Sequence, residues 1–348
     1  MEHTAKIRIA FIGAGGIARS RHLPSLAAIA DAKVQIVVNR SEESARAVAS
    51  QFNIPEVESD WRRVVEREDI DAVFIGTWPY MHSEMSTAAL EAGKHVFCQA
   101  RMACNLDEAR EMVAAARARP HLVNMICPPP HRMPWEPYIR RLISDGSLGD
   151  LWSVRVRSLT DANLGSVATW REQIEFSGVH ALAVGIYAET LNAWCGAYDR
   201  LSAQTSIPIQ EKEDESGSRY AVRVPQIVSI HGTLRNGATI NEIHSGVSAH
   251  EREDSIVMEG SRGTARVDVM KSVQFAVRGE ELQPVEVPDE LLRDWRVELD
   301  FIEAVRAARR GESWTVSPDF AEGLRYMKKM EAVSCSARSG ATVELSSL

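Results

Sequence analysis

The chain is poor in cysteine, and the cysteines it has are not arranged for binding metal or forming disulfides. They are an odd number, and none stands in a Cys-x-x-Cys or Cys/His spacing. The histidines at positions 231, 244 and 250 lack metal-ligand spacing as well. We therefore predict five buried thiols, with neither a disulfide framework nor a metal site. The cysteines are Cys98, Cys104, Cys127, Cys195 and Cys335.

Long apolar runs and an excess of basic charge are also absent. No apolar run approaches the roughly 18 residues that a membrane helix needs, and the first six residues are too short and polar for a signal peptide. The net charge of −8 and pI near 5.8 argue against a nucleic-acid partner, which requires a basic face. We expect a cytoplasmic protein without a membrane partner.

A glycine-rich stretch at residues 7–18 organises the rest of the chain. Its apolar first half suits a strand buried in a parallel sheet. Gly13 permits a tight turn, and Gly15 lets bare backbone approach a pyrophosphate. Gly16 and Ile17 open the next helix, whose N-terminus favours an anion. The stretch predicts a dinucleotide site, although turns of this composition also occur without a nucleotide.

The end of the second predicted strand, residues 34–38, bears on the choice of cofactor. An acidic residue there would hold an adenosine ribose, whereas a nearby Arg accommodates a 2′-phosphate. The sequence has Asn39, Arg40 and Ser41 instead of an acid. A guanidinium and a hydroxyl can bind a 2′-phosphate, so NADP is favoured and NAD is the alternative. In the other interpretation, Arg40 is merely solvated and Ser41 only caps the following helix.

Two further predicted strands end in loops that should border the nicotinamide half of the cofactor. The first loop holds Thr77, Trp78, Pro79 and His82, and Trp78 either covers a ring or simply packs. The second loop begins at Gln99. Asn105 and Glu108 form a predicted capping box after it.

The chain of 348 residues is longer than one core usually supports, so two domains are expected. Pro128, Pro129 and Pro130 follow the strand predicted at residues 122–127, and three prolines cannot continue a central strand. We therefore predict a dinucleotide-binding Rossmann domain over residues 1–127 and a second domain over residues 128–348.

The order of motifs along the chain resembles the Gfo/Idh/MocA family, the glucose-fructose oxidoreductase and inositol dehydrogenase group. The motifs span nearly the whole chain, and their order is more specific than any single one. They are Gly13-Ala14-Gly15-Gly16-Ile17-Ala18, His22-Leu23-Pro24, Pro79-Tyr80-Met81-His82, Gly93-Lys94-His95-Val96, Asp145-Gly146-Ser147-Leu148-Gly149, Glu259-Gly260-Ser261-Arg262-Gly263-Thr264 and the closing helix from Pro318.

The resemblance implies an α/β protein in which an N-terminal Rossmann domain precedes an α/β domain with an open, mostly antiparallel sheet. It implies NAD(P)-dependent hydride transfer at a carbinol or carbonyl carbon of a sugar, a cyclitol or another polar cyclic small molecule. It also implies a homo-dimer or homo-tetramer formed through the C-terminal sheet. A different class remains open, in which the nucleotide is bound without net redox by a lyase, a hydrolase or a binding protein.

The sequence departs from the family where the chemistry is expected. The family commonly has Glu-Lys-Pro after the fourth strand, and these positions are Gln99, Ala100 and Arg101 here. A methyl group cannot move a proton and Arg stays protonated, so Arg101 can only orient a substrate.

A second family signature spaces an Asp, a Gly and a His over five residues, and its Asp and His fall on Ala183 and Tyr187. His180 lies seven residues before Tyr187, which is two turns if the segment is helical. His180 and Tyr187 are therefore the candidate acid–base groups, or else Tyr187 fills the lysine's space and His180 is structural.

The second domain carries weaker signals. Arg171, after Trp170, either contacts an anionic or polyhydroxy substrate or is a surface charge. Asn236-Gly237 predicts a hairpin. Residues 211–217 read as a solvated loop, and helices are predicted over residues 289–309 and from Pro318, with Ser317 as N-cap.

Overall fold

The structure is a computed structural model that describes residues 6–132, 134–179 and 183–348. Contacts divide the chain into two compact units, and each unit is built from separate stretches of sequence. The first contains Met1–Pro128 and Arg296–Leu324, and the second contains Pro129–Trp295 and Arg325–Leu348.

The first unit is a six-stranded sheet in which every pairing is parallel. Its strands are β1 (Ile7–Ile12), β2 (Ala32–Val38), β3 (Glu56–Glu58), β4 (Ala72–Ile75), β5 (His95–Cys98) and β6 (Asn124–Ile126). The strand order is β3-β2-β1-β4-β5-β6, the doubly wound order with its switch point between β1 and β4. The predicted Rossmann fold is confirmed.

The helices of the first unit follow the strands they cross over. A short π-helical turn, Ala18–His22, leads into the first of them. Those within its first stretch of sequence are α1 (Leu23–Ala28), α2 (Glu42–Phe52), α3 (Trp61–Val65), α4 (His82–Glu91) and α5 (Leu106–Arg117). The predicted capping box of α5 is confirmed, because Glu108 N donates to Asn105 Oδ1 at 2.9 Å and Asn105 Nδ2 returns a bond to Glu108 at 2.9 Å.

The second unit is built on a nine-stranded mixed sheet. Its helices before the last stretch of the chain are α6 (Glu136–Ser144), α7 (Ile174–Ser177) and α8 (Val184–Trp194). Its strands, with the two of a separate hairpin, are β7 (Leu151–Leu159), β8 (Tyr198–Ser206), β9 (Glu211–Glu213), β10 (Arg219–Ala221), β11 (Ile227–Leu234), β12 (Thr239–Ser245), β13 (Glu253–Gly260), β14 (Gly263–Asp268), β15 (Ser272–Val277), β16 (Gln283–Pro284) and β17 (Val343–Glu344). The sheet order is β16-β15-β14-β13-β7-β12-β11-β8-β17. β7 and β12 pair in parallel and the other neighbours are antiparallel, so the open, mostly antiparallel sheet is confirmed.

The prediction of a solvated loop over residues 211–217 is wrong for the first three residues. Residues Glu211–Glu213 form β9, which pairs with β10. The Lys212 side chain is buried, and its ammonium lies 2.6 Å from Glu172 and donates to Asn163 O at 2.7 Å. A run of charged residues looked solvated, but one of them has a buried counterion.

The two closing helices begin later than predicted. The first, α9, is Val297–Arg309, and a 3₁₀ turn covers Asp289–Leu291 before it. The second, α10, is Phe320–Ser339. Its N-cap is Asp319 rather than Ser317, because Glu322 N donates to Asp319 Oδ1 at 2.7 Å and Asp319 N donates to Glu322 at 3.2 Å. This reciprocal pair outcompetes a lone serine hydroxyl as a cap.

Candidate functional site

The glycine turn of the first unit is crowded at Gly13 and open at Gly15 and Gly16. Gly13 has φ +83°, and a Cβ there would lie 2.6 Å from Thr77 N. At Gly15 and Gly16 a Cβ would meet no heavy atom within 4 Å. Gly13 therefore lets β1 and the 77–82 loop approach each other. Gly15 and Gly16 leave bare backbone facing free space, as a dinucleotide pyrophosphate requires.

The residues after β2 have different roles in the structure. Asn39 accepts a hydrogen bond from Ala14 N at 2.7 Å and donates one to Ser44 Oγ at 2.9 Å, so it ties the glycine turn to α2. Ser41 accepts from Ser44 N at 3.2 Å and is the N-cap of α2. Arg40 is exposed, and its guanidinium carbon lies 6.0 Å from the centre of the Trp78 ring. Arg40 thus places a cation beside Trp78 after the end of β2.

His82 connects the two loops that end β4 and β5. Its ring is fully buried, with Nδ1 2.7 Å from Arg101 O and Nε2 3.0 Å from Thr77 O. Burial lowers the pKa of His82, and a neutral imidazole donates only one hydrogen bond. This predicted cofactor residue therefore holds backbone in place, and Pro79 beside it is buried as well.

The loop after β5 contains the positions where the family has Glu-Lys-Pro. Gln99 N donates to Ile75 O at 2.8 Å, and the Gln99 side chain accepts from Ala100 N at 3.3 Å. The Ala100–Arg101 peptide bond is cis. Arg101 is 7% exposed, so its guanidinium is largely enclosed. Of the three residues, none supplies a side chain that exchanges protons near neutrality.

The residues proposed for acid–base chemistry belong to the second unit. His180 lies outside the described residues. Tyr187 stands in the first turn of α8, has no exposed surface, and donates a hydrogen bond from its hydroxyl to Asp254 Oδ1. Its ring centre lies 5.4 Å from that of His244. Tyr187 thus holds a carboxylate rather than facing solvent.

A buried ionic cluster lies on the inner face of the nine-stranded sheet. Glu242 and His244 alternate inward along β12, and His244 Nε2 is 3.0 Å from Glu242. Lys329 of α10 donates to both Glu242 oxygens at 2.7 Å, and Tyr198 donates to one of them at 2.6 Å. Burial alone would raise the pKa of Glu242, but the Lys329 ammonium and the His244 ring together outweigh burial, and the pKa falls to about 2. The carboxylate is therefore ionised and fully paired.

The sequence interpretation missed Asp254. Asp254 was not singled out from the sequence, and in the structure it is the second residue of β13, which begins at Glu253. Asp254 is directly opposite Ser158 of β7 and is only partly exposed. The signal was present, since Asp254 shares the period-2 face of Ile256 and Met258, where a carboxylate is out of place.

The structure also describes the cysteines, the residues that could bind a metal and the lengths of the helices. The prediction of buried thiols is confirmed for four cysteines and is wrong for Cys335, which is half-buried near the end of α10. Burial raises the pKa of Cys98, Cys104 and Cys195 to about 12 each. Across residues 6–132, 134–179 and 183–348, no three His, Cys, Asp or Glu side chains are grouped to hold a metal ion. Within those same ranges, every helix is too short or too polar to cross a membrane.

Comparison with protein families identifies both units. Residues 7–126 match the model of the oxidoreductase family with an NAD-binding Rossmann fold, Gfo/Idh/MocA. Residues 138–266 match a Gfo/Idh/MocA C-terminal domain. The two matches together cover well over half of the chain.

Two curated relatives illustrate the range of the family. The chain is 27% identical to levoglucosan dehydrogenase of Pseudarthrobacter phenanthrenivorans over 248 residues, which are 70% of this chain and 56% of that protein. It is 36% identical to the NADP(+) scyllo-inositol 2-dehydrogenase of Bacillus subtilis over 112 residues, which are 32% of this chain and 34% of that one. The alignments thus span only about a third to a half of these relatives.

Solved structures share the fold over nearly the full length. Levoglucosan dehydrogenase in complex with NADH and L-sorbose superposes with a TM-score of 0.87 at 22% identity, covering 98% of this chain and 99% of that one. The two family-model matches, together with the parallel sheet and the glycine turn, show that the chain belongs to the Gfo/Idh/MocA family of oxidoreductases.

Proposed function

We propose that this protein is an NADP-preferring oxidoreductase. It transfers a hydride to or from the carbinol or carbonyl carbon of a sugar-like, cyclitol or other polar cyclic small molecule. The observation that carries the proposal is the open glycine turn at the end of β1, in a chain of an oxidoreductase family. A bound nicotinamide supplies the hydride acceptor or donor.

The pyrophosphate is proposed to lie against the backbone of Gly13, Gly15, Gly16 and Ile17. A helix leaves its first N–H groups without internal acceptors, and these groups favour an anion. Ile17 is 46% exposed, so this face of the turn is accessible. The remaining proposed cofactor residues form the rim of the site, some by contact and some by holding backbone in place. They are Asn39, Arg40, Ser41, Thr77, Trp78, Pro79, His82 and Gln99.

Arg40 is the residue proposed to select the 2′-phosphate. Its side chain is exposed, and the residues that directly follow β2 do not include the acidic residue that would repel a 2′-phosphate. Arg40→Gln is expected to weaken NADPH binding about 10- to 100-fold, the equivalent of one charge-assisted hydrogen bond, and to leave NADH unchanged. Titration by tryptophan fluorescence measures both affinities.

Arg46→Gln is the matched control for Arg40. Arg46 is an exposed arginine of α2 that pairs with Glu42 and is not part of the proposed site. This substitution should change the affinity for neither NADPH nor NADH. Tighter binding of NADH than of NADPH by the wild type would refute the NADP assignment while leaving dinucleotide binding intact.

His180, Tyr187 and Arg101 are the proposed catalytic residues. Arg101 stays protonated and serves to orient the substrate. His180 is proposed for proton exchange by its residue type, since an imidazole titrates near neutrality. Tyr187 is included among the catalytic residues, and its hydroxyl group donates a hydrogen bond to Asp254.

A turnover assay separates net redox from a recycled cofactor. Purified protein is incubated with NADP⁺ or NADPH and a panel of sugars, cyclitols and hydroxy acids, and the nicotinamide absorbance is followed. A substrate-dependent change is expected with at least one polyhydroxylated compound. Product formation with no net absorbance change would instead establish a lyase or hydrolase that returns its hydride.

The open face of the nine-stranded sheet is proposed as the surface of a homo-dimer or homo-tetramer. A groove of about 780 Å³ runs across this face, between strands β7, β8, β11, β12 and β13. Ile243 is 37% exposed in it, although it lies on a central strand. An apolar side chain exposed on a central strand is the feature that supports this proposal.

A further inference from the structure

The helix behind the glycine turn contains a π turn. Residues 16–28 form one helical run, and Ala18–His22 within it is π-helical, with Leu23 N donating to Ala18 O. The extra residue of a π turn rotates the side chains after it by about 100° relative to those before it. Single π turns inside helices are rare and often lie at functional sites. This one directly follows Ile17, the last residue of the proposed pyrophosphate site.

His22 is the last residue of the π turn, and its ring is buried against the sheet of the first unit. Only 2% of this residue is exposed. The ring centre lies 5.5 Å from that of Phe97 on β5, in an edge-on arrangement, and 6.4 Å from that of Phe11 on β1. Because protein interiors are closely packed, these aromatic neighbours on two strands hold the imidazole in one orientation.

The polar partner of this ring comes from a distant part of the sequence. His22 Nδ1 is hydrogen-bonded to Glu298 Oε1, and Glu298 is buried in the first turn of α9. A carboxylate oxygen accepts, so His22 Nδ1 is the donor. Among the described residues, His22 Nε2 has no hydrogen-bond partner. Glu298 therefore fixes both the position and the tautomer of the imidazole.

Helix α9 is tied to the sheet side of the first unit at both of its ends. In its first turn, Glu298 holds the helix behind the glycine turn. In its last turn, Arg309 lies 2.6 Å from Asp71, which precedes β4 and also pairs with Arg8 near the start of β1. The glycine turn follows the other end of β1. Of these two contacts, the one made by Glu298 therefore bears on the glycine turn.

We propose that Glu298, acting through His22, is a positioning residue for dinucleotide binding. The buried pair holds the π turn in place, and the π turn sets the direction of the backbone N–H groups of Gly16 and Ile17 that face the pyrophosphate. Both side chains of the pair are buried, so neither is proposed to touch the dinucleotide. The inference rests on the proposed oxidoreductase function, and all of its residues belong to the first unit.

The first measurement follows the turn without any dinucleotide. Hydrogen exchange of backbone amides, read by mass spectrometry, is compared between the wild type and Glu298→Leu. The leucine keeps a buried side chain of similar size but leaves the Nδ1–H group of His22 without its acceptor. Exchange in a peptide covering residues 14–24 should become about tenfold faster, because the turn opens locally more often. Unchanged exchange in this peptide would overturn the proposal.

The second measurement is the affinity for NADPH, determined by calorimetry. Glu298→Leu should weaken binding about tenfold, the equivalent of one net hydrogen bond. Glu298→Gln keeps an oxygen that can accept from His22 Nδ1 but loses the charge, so its affinity should lie between those of the wild type and Glu298→Leu. If Glu298→Gln bound NADPH as weakly as Glu298→Leu, the proposed acceptor role of Glu298 would be wrong.

Arg309→Gln is the matched control, since it loosens the other end of the same helix. It breaks the ion pair with Asp71 and leaves the contact between His22 and Glu298 in place. The urea midpoint should fall in Arg309→Gln, whereas exchange in residues 14–24 and NADPH affinity should match the wild type. An equal loss of affinity in Arg309→Gln and Glu298→Leu would mean that any loosening of α9 weakens binding, and the specific role of Glu298 would be refuted.

The proposed function and the positioning role fail in different ways. If the wild type binds neither NADPH nor NADH, the proposed function fails and the role of Glu298 falls with it. If the wild type binds a dinucleotide and Glu298→Leu binds it equally well, only the positioning role is removed. Should Glu298→Leu not fold, Glu298→Gln carries the same comparison, and wild-type exchange together with wild-type affinity in that variant would overturn the proposal.

Discussion

At the scale of single residues, we expect one glycine of the turn to matter for stability and another to matter for dinucleotide binding. Gly13 and Gly15 belong to one motif, but only Gly13 has a positive φ and a crowded Cβ position. Gly13→Ala should lower the free energy of unfolding by about 1–3 kcal/mol, the usual cost of a strained non-glycine backbone. Urea unfolding measures this loss.

Gly15→Ala is the counterpart and should behave in the opposite way. Its added methyl meets no protein atom within 4 Å, so stability should stay close to that of the wild type. Dinucleotide affinity should fall at least about tenfold, since the methyl group occupies the space in which bare backbone meets the pyrophosphate. Calorimetry with NADPH checks it, and unchanged affinity would contradict the placement of the pyrophosphate.

At the scale of secondary-structure elements, the ion pair between β12 and α10 is the sensitive point of the second unit. Lys329→Met leaves the Glu242 carboxylate buried without its cation, which typically costs about 3–5 kcal/mol. Lys328→Met, one residue earlier on α10 and partly exposed, should cost far less. Thermal and urea unfolding compare the two.

A double variant tests the cause of that loss. Lys329→Met combined with Glu242→Leu removes both charges, and paired removal of a buried ion pair is often close to neutral. The double variant should therefore be more stable than Lys329→Met alone. A double variant that is less stable still would mean that packing, or the hydrogen bonds of Tyr198 and His244 to Glu242, matters more than the uncompensated charge.

At the scale of the whole molecule, the open sheet face predicts self-association. Ile243→Glu places a charge in the central groove and should shift the protein to a smaller assembly, measured by light scattering during gel filtration. Leu282→Glu has the same 37% exposure outside the groove and should not change the mass. A wild-type monomer would contradict the proposed interface.

The sequence by itself determined the elements whose signals are local. Apolar runs, the glycine turn, the Asn105–Glu108 capping box and the Asn236-Gly237 hairpin depend on residues a few positions apart, and the structure contains all of them. The family likewise followed from the order of short motifs along the chain.

Only the tertiary structure decided what depends on distant partners. Residues 296–324 belong to the first unit, where the ring centres of Phe301 and Phe74 lie 5.2 Å apart. No local sequence pattern specifies that contact. Lys212 can be buried because Glu172 neutralises it, and Glu242 stays ionised in the interior because the Lys329 ammonium lies beside it. Burial and charge pairing are set by residues far apart in sequence, so they become visible only once the chain is folded.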